Sequence, residues 1–154
     1  MDFNLSSEQK LIKKTASDFA SKELIKGAID RDKNKLWPAE QISKMAELGF
    51  MGMMVNEKWG GSNLDTISYC IVMEEISKAD ASAGVIMSVN NSLVCYLLEK
   101  YASNFIKEKY LTRLATGEKL GAFSLSEPQS GSDASNMNTC ATLDGDHYIL
   151  SGTK

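Results

Sequence analysis

The sequence predicts a mainly α-helical fold, with a helical domain over residues 1–119 followed by the first strands of a β domain over residues 120–154. Apolar residues recur every three or four positions through the first part of the chain, which is the spacing of one helix face. From Gly121 the pattern alternates between apolar and polar residues, which is typical of strands. Asp144-Gly145-Asp146 then separates two alternating runs, and an Asp-Gly pair in this position is a strong hairpin signal.

Local start and stop signals place the first two of five helices. Ser6 with Gln9 three residues later forms a capping box for a first helix that runs to Leu24. Pro38 opens the second helix at its first position, and Gly49 ends it. Both segments carry apolar residues at helical spacing, so we expect each to pack one face against a core.

The third and fourth helices follow from N-cap residues and long apolar runs. Asp65 is a fitting N-cap for the third helix. The fourth begins at Asp80–Ser82, runs to Tyr101 and is apolar on most sides, so we expect it to be the most buried helix. Its Asn90 and Asn91 either bond to neighbouring segments or line a pocket, and the sequence leaves both alternatives open.

A fifth helix is predicted over Ser103–Ala115, capped by its first residue. The segment 50–64, between the second and third helices, contains three glycines and an apolar run, so we expect an ordered loop. Its Met51, Met53 and Met54 are interpreted as fillers of irregular core gaps rather than as a ligand surface.

Composition excludes several function classes. The chain has 154 residues, 43% of them hydrophobic and 24% charged, and a net charge of -3 without a basic stripe, which argues against nucleic-acid binding. Cys70, Cys95 and Cys140 are widely spaced and His147 is the single histidine, so neither a disulfide framework nor a metal site is predicted. We expect the three thiols to be reduced and buried. No signal peptide is recognisable and no apolar run approaches about 18 residues, so we expect a cytoplasmic protein without membrane contact.

The stretch from Phe123 to Asp133 is interpreted as a short strand that leads into a binding loop. Apolar residues alternate with serines until Pro128 ends the strand, and Gly131 lets a flat ligand approach the backbone. Hydroxyls come from Ser126, Ser130 and Ser132. An ordinary turn is the alternative interpretation. We assign Glu127 a turn role rather than a catalytic one, because no partner that would raise its pKa is recognisable.

Several motifs together resemble the acyl-CoA dehydrogenase family. Their order and spacing carry the resemblance, which covers essentially the whole chain. Gly84 to Leu93 is especially similar to the short-chain, butyryl-CoA-type members. The motifs are Leu48-Gly49-Phe50-Met51-Gly52, Trp59-Gly60-Gly61, Glu74-Glu75-Ile76 with Ala81-Ser82, Leu125-Ser126-Glu127-Pro128 with Gly131-Ser132-Asp133, and Ser151-Gly152-Thr153-Lys154.

The resemblance implies a fold, a cofactor and a set of site residues. The family fold has an N-terminal antiparallel helical domain, a middle β domain and a C-terminal helical bundle, so we expect this chain to supply the first domain and the start of the second. The resemblance implies that Ser132 also touches the acyl-CoA and that Val89 helps to set acyl chain length. The implied FAD-binding residues are Phe123, Leu125, Ser126, Gly131 and Ser132.

The implied reaction is oxidation of a short-chain acyl-CoA to the trans-2-enoyl-CoA, with the β-hydrogen leaving as hydride to FAD. The catalytic base lies in the family's C-terminal domain, so no catalytic residue is assigned here, and we expect the isolated chain to be inactive. Electron-transfer flavoprotein as partner and a homotetramer are implied as well. Two alternatives remain: a non-catalytic helical interaction module, and a family member such as an acyl-CoA oxidase or an enzyme for branched or aromatic acyl groups.

Three positions depart from the family pattern. Asn56 replaces a common Pro, Asn63 a common Gly, and Gln129 the Gly that usually follows Glu-Pro. Because Asn tolerates positive φ better than Gln does, the resemblance predicts the conformation of the loop around Gln129 less directly than that of any other segment.

Overall fold

The computed structural model describes residues 4–154 and divides the chain into two compact units, Met1–Ala122 and Phe123–Lys154. The first unit is helical and the second contains a two-stranded antiparallel sheet. This mainly helical architecture with an opening β segment confirms the predicted fold class.

The helical unit contains six α-helical segments and one short 3-10 helix, Glu57–Trp59, in the part of the chain that the structure describes. Three of them continue through a π-helical turn, in which hydrogen bonds span five residues instead of four. The segments are α1 (Ser7–Phe19, then the π turn Ala20–Leu24), α2 (Ala28–Asn34), α3 (Ala39–Glu47), α4 (Thr66–Ala79), α5 (Ala81–Ser88, the π turn Val89–Cys95, then Tyr96–Tyr101) and α6 (Asn104–Ile106, the π turn Lys107–Leu111, then Thr112–Ala115).

Four of the five predicted helix starts are confirmed by their caps, whereas Pro38 is the N-cap of a helix that begins at Ala39 and not its first residue as predicted. Ser6 and Gln9 form both bonds of the capping box, each at 3.1 Å. The Asp65 carboxylate accepts from the Ser68 amide at 2.6 Å, and the Asp80 carboxylate caps α5 in the same way. Helix α2 is not predicted by the sequence patterns, because it buries none of its residues and so lacks an apolar stripe.

The core of the helical unit lies among α1, α3, α4, α5 and the loop after α3. Phe19 and Phe50 meet edge to face there, with ring centroids 6.2 Å apart. Met51 and Met53 are fully buried in the core, which confirms their interpretation as gap fillers. The buried residues of this core are Ala16, Phe19, Ala20, Leu24, Ile42, Met45, Phe50, Met51, Met53, Tyr69, Val72, Ile76, Ala83 and Met87.

Helix α5 differs from its prediction as the most buried helix. Ala83 and Met87 face the core, whereas Val85 on the other side is 61% exposed and Tyr96 is also exposed. An apolar pattern shows that a face is suited to burial but does not show what covers it. At 21 residues, α5 is also long and apolar enough to cross a membrane, so the expectation that no apolar run approaches about 18 residues is wrong. Core helices of soluble proteins pass the same test.

Two buried amides fix the loop after α3 to α5. The Asn91 side chain accepts from the Met53 amide at 2.8 Å and donates to the carbonyls of Phe50 at 2.9 Å and Met87 at 3.0 Å. The neighbouring Asn90 donates to the carbonyls of Met51 and Leu114 and accepts from the Gly121 amide. Of the two alternatives for these amides, bonding to neighbouring segments is therefore the one that the structure shows.

The second unit contains a hairpin of β1 (Cys140–Asp144) and β2 (His147–Ser151). Cys140 pairs with Ser151, and a two-residue turn with Gly145 at φ 62° joins the strands, as the Asp-Gly signal predicts. The predicted strand from Phe123 is wrong: within the described residues, its region forms only an isolated bridge between Glu127 and Ser130. Alternation favours a strand, but a strand also needs a neighbour to pair with.

The cysteines correct a further expectation. Cys95 is buried, whereas Cys70 and Cys140 are exposed. Burial, with a smaller contribution from Glu99, raises the pKa of the Cys95 thiol to about 12, so this sulfur is not a nucleophile at neutral pH. Across residues 4–154, no group of three side chains is arranged to hold a metal ion.

Candidate functional site

The candidate cofactor segment, Phe123–Ser132, lies entirely in the second unit and begins as an extended chain. Phe123 and Leu125 are 44% and 37% exposed, so both apolar side chains are accessible. Ser126, Gly131 and Ser132 are exposed as well. The structure therefore places all five predicted cofactor residues on an accessible surface of one unit.

A tight turn follows the extended part. Glu127 and Ser130 exchange both backbone hydrogen bonds, at 2.7 and 3.0 Å, around Pro128. The Ser130 side chain is buried and donates to the Asp133 carbonyl at 2.7 Å. Its hydroxyl is used inside the turn, which corrects the expectation that Ser130 supplies a hydroxyl to a ligand.

Glu127 is the most heavily bonded side chain of this unit. Its carboxylate accepts from the backbone amides of Asn138 at 2.6 Å and Thr139 at 3.1 Å, from the Gln129 side chain at 2.8 Å and from the Lys154 ammonium at 2.9 Å. Thr139, then Lys154, then the Asn138 amide hold the pKa of Glu127 well below its ordinary value.

The partners of Glu127 all lower its pKa, so the statement that no partner raises it is supported. They come from residues up to 27 positions later in the chain, so local sequence context gave no indication of them. The conclusion about chemistry is also supported, because a carboxylate with such a low pKa and with its lone pairs already bonded is a poor proton acceptor.

Ser126 lies between two bonded positions and keeps its own donors available. Lys154 donates to the Leu125 carbonyl at 2.8 Å, and Glu127 is held as described. Within residues 4–154, no hydrogen bond uses the backbone N–H or the hydroxyl of Ser126, nor the backbone N–H of Leu125. Free donors beside exposed apolar side chains fit a flat, acceptor-rich ring such as the isoalloxazine of a flavin.

Val89, the predicted chain-length residue, lies in the helical unit. It is the first residue of the π turn in α5, and its side chain is half-buried. Single π turns inside helices occur frequently at functional sites, because the extra residue changes which side chains face a given side. The structure therefore places Val89 where a small change of side chain alters a partly open surface.

The helical unit also has a pocket of about 600 Å³ beside α2 and the start of α5. Arg31 and Asp80 lie in its wall and bind each other at 2.8 Å, and the Arg31 guanidinium also donates to the Leu24 carbonyl at 2.6 Å. Trp37 and Val85 line the rest with exposed apolar surface. The principal charged groups of this pocket, Arg31 and Asp80, thus bind each other.

Comparison with known proteins identifies the family. The N-terminal domain of acyl-CoA dehydrogenases matches residues 6–118, which is more than half of the chain. The chain belongs to the acyl-CoA dehydrogenase family.

Individual relatives agree with this assignment. The mitochondrial short-chain specific acyl-CoA dehydrogenase of Homo sapiens is 46% identical over 150 residues, which cover 97% of this chain and 36% of that protein. Butyryl-CoA dehydrogenase from Megasphaera elsdenii superimposes with a TM-score of 0.91 at 38% identity, over 99% of this chain and 41% of that one. A structure of the electron transferring flavoprotein of Acidaminococcus fermentans matches with a TM-score of 0.94 at 43% identity, over 99% of this chain and 40% of that one. The chain thus spans about two fifths of the length of these relatives.

One departure from the family pattern is explained by the backbone. Asn63 adopts φ 50°, so an Asn occupies a left-handed position where the family often has Gly. Gln129 is not among the residues with positive φ in the described chain, so its turn needs no glycine at that position.

Proposed function

We propose that the protein containing this chain is a flavin-dependent short-chain acyl-CoA dehydrogenase, which oxidises a short-chain acyl-CoA to the trans-2-enoyl-CoA. One observation carries the proposal: in a chain of this family, the segment Phe123–Ser132 presents exposed apolar side chains next to unused hydrogen-bond donors. The short-chain specific and butyryl-CoA dehydrogenases among its relatives favour a short acyl substrate.

The chain's own residues would hold FAD, which supplies hydride acceptance when bound. Phe123 and Leu125 give apolar contact to its ring system. Ser126 donates from its hydroxyl and backbone to the pyrimidine edge, where the reduced ring gains negative charge. Donors fixed in that position stabilise the reduced state without reorganising during the reaction.

Two residues would contact the substrate side of the site. The exposed Ser132 hydroxyl would lie near both the cofactor and the acyl-CoA. Val89 would limit the length of the acyl chain, because adding or removing one methylene in an apolar pocket changes discrimination by about 1–3 kcal/mol. No residue of this chain is assigned as the base, which we place in a C-terminal domain as the family resemblance implies.

We further propose that electrons pass to an electron-transfer flavoprotein, that the complete enzyme is a homotetramer and that it is cytoplasmic. The match to the structure of the electron transferring flavoprotein of Acidaminococcus fermentans supports the first of these three proposals. The oligomer and the location rest on the family resemblance and on the sequence.

The test is to purify the complete protein as its gene encodes it and to record its visible spectrum. We expect a yellow protein whose flavin absorption bleaches when butyryl-CoA is added without oxygen. A colourless protein that gains no colour with added FAD contradicts the proposal and favours the non-catalytic helical module.

A further inference from the structure

One ammonium group joins three separate stretches of the second unit. The Lys154 Nζ donates to the Leu125 carbonyl at 2.8 Å and to the Glu127 carboxylate at 2.9 Å. The same carboxylate accepts from the backbone amides of Asn138 and Thr139, just before β1. A single pair of charges therefore fixes residues 125–127 to the base of the hairpin and to the residues after β2.

This pair differs from an ordinary surface ion pair. The Glu127 side chain is 2% exposed and that of Lys154 is 25% exposed, whereas the pair Arg113–Glu118 is more than half exposed on both sides. Shielded, charge-assisted bonds to backbone groups are shorter, stronger and less screened by salt than exposed pairs. The bonds made by Glu127 and Lys154 are thus able to hold a backbone in one position.

The backbone they hold is that of Ser126. The carbonyl of Leu125, the residue before Ser126, accepts a hydrogen bond from Lys154. The residue after Ser126 is Glu127, which is paired with the same lysine. Ser126 keeps an unused backbone N–H and hydroxyl, so its orientation is set by its two neighbours rather than by bonds of its own. Groups that support a contacting residue in this way determine how accurately it meets a ligand.

We propose that Glu127 and Lys154 act as positioning residues that aim the Ser126 donors at the pyrimidine edge of the flavin, and so set FAD affinity and reduction potential. This inference rests on the proposed function. Neither side chain needs to touch the cofactor, because the effect passes through the Leu125 carbonyl and the backbone at Ser126.

The variant Glu127→Gln tests the inference with almost no change in shape. Both carboxylate oxygens accept hydrogen bonds: one from Lys154 and Thr139, the other from Asn138 and Gln129. A glutamine has only one acceptor oxygen, so either amide orientation sets its NH₂ against existing donors. The second variant, Lys154→Met, removes the ammonium but leaves Glu127 its backbone partners, so it decides the question if Glu127→Gln does not fold.

The measurements are the FAD dissociation constant and the reduction potential of the bound flavin, both on the complete protein. We expect each variant to bind FAD at least about tenfold more weakly, as when one hydrogen bond from Ser126 to the flavin is no longer aligned. We also expect a more negative potential, because poorly aimed donors stabilise the reduced flavin less. The matched control, Glu118→Gln, removes a carboxylate from the exposed pair with Arg113 and should leave both values unchanged.

The outcomes separate this inference from the proposed function. If the wild-type protein binds no flavin, the proposed function fails and the positioning role fails with it. If the wild type binds FAD and the variants unfold at lower temperature but keep the wild-type affinity, spectrum and potential, Glu127 and Lys154 have only a structural role and the inference alone is overturned.

Discussion

The strongest stability prediction concerns Asn91, whose side chain is 2% exposed and connects α5 to the loop after α3. In Asn91→Ala, the Met53 amide and the Phe50 carbonyl lose the bonds at 2.8 and 2.9 Å that the amide side chain supplies. Each buried polar group left without a partner costs about 1–3 kcal/mol. Two such groups lower the free energy of opening this region by about 2–6 kcal/mol.

Native-state hydrogen exchange followed by mass spectrometry measures this cost in the complete protein. Peptides that contain Met53 report the opening of the loop directly, so a two-state unfolding of the whole molecule need not be assumed. A cost of about 2–6 kcal/mol corresponds to exchange at least about 30-fold faster than in the wild type.

The control for Asn91 is Asn34→Ala. The Asn34 amide is exposed and donates to the Asp30 carboxylate four residues earlier in α2. Its removal should change stability by no more than about 0.5 kcal/mol. If exchange at Met53 in Asn91→Ala stays within about threefold of the wild type, the assumption that unpaired buried groups dominate at this position is refuted.

Three further predictions follow from the other contacts. Val89→Trp should lower kcat/KM for hexanoyl-CoA at least about tenfold more than for butyryl-CoA, and an unchanged chain-length profile contradicts a role for this residue in specificity. Gly61→Ala should destabilise the complete protein by about 1–3 kcal/mol in thermal unfolding, because the added methyl group meets the Val55 carbonyl; unchanged stability contradicts that clash. The stabilisation from Glu127, whose pKa is lowered in the folded state, is present at neutral pH and is lost with acid. The unfolding temperatures of wild type and Glu127→Gln should therefore converge as the pH falls below about 4.3, and a constant difference contradicts the lowered pKa.

Sequence patterns predicted those elements whose determinants are local. The capping box of Ser6 and Gln9 and the cap of Asp65 each depend on residues three apart, and the structure shows both. The Asp-Gly turn at Gly145 is equally local. Helix α2 escaped prediction because a helix without a buried face has no apolar period to detect.

The remaining differences come from interactions between distant residues. Alternation at Phe123 and Leu125 indicated a strand, but no neighbouring strand pairs with them in the part of the chain that the structure describes. The exposed side of α5 at Val85 is apolar in sequence, as its buried side is, so the pattern did not distinguish the two sides. The candidate site was located by motif order, whereas its supporting pair, Glu127 and Lys154, became visible only when the chain was folded.

In both units, a buried polar side chain binds backbone groups of other segments. In the helical unit, Asn90 accepts from the Gly121 amide, so the chain is held one residue before that unit ends. In the second unit, Lys154 and Glu127 hold the chain from the Leu125 carbonyl onward. The backbone N–H groups of residues 122–126 form no hydrogen bond within residues 4–154. These donors are unused, whereas Glu127 and Ser130 in the following turn bond to each other, and this is why we place the flavin contact at Ser126 rather than in that turn.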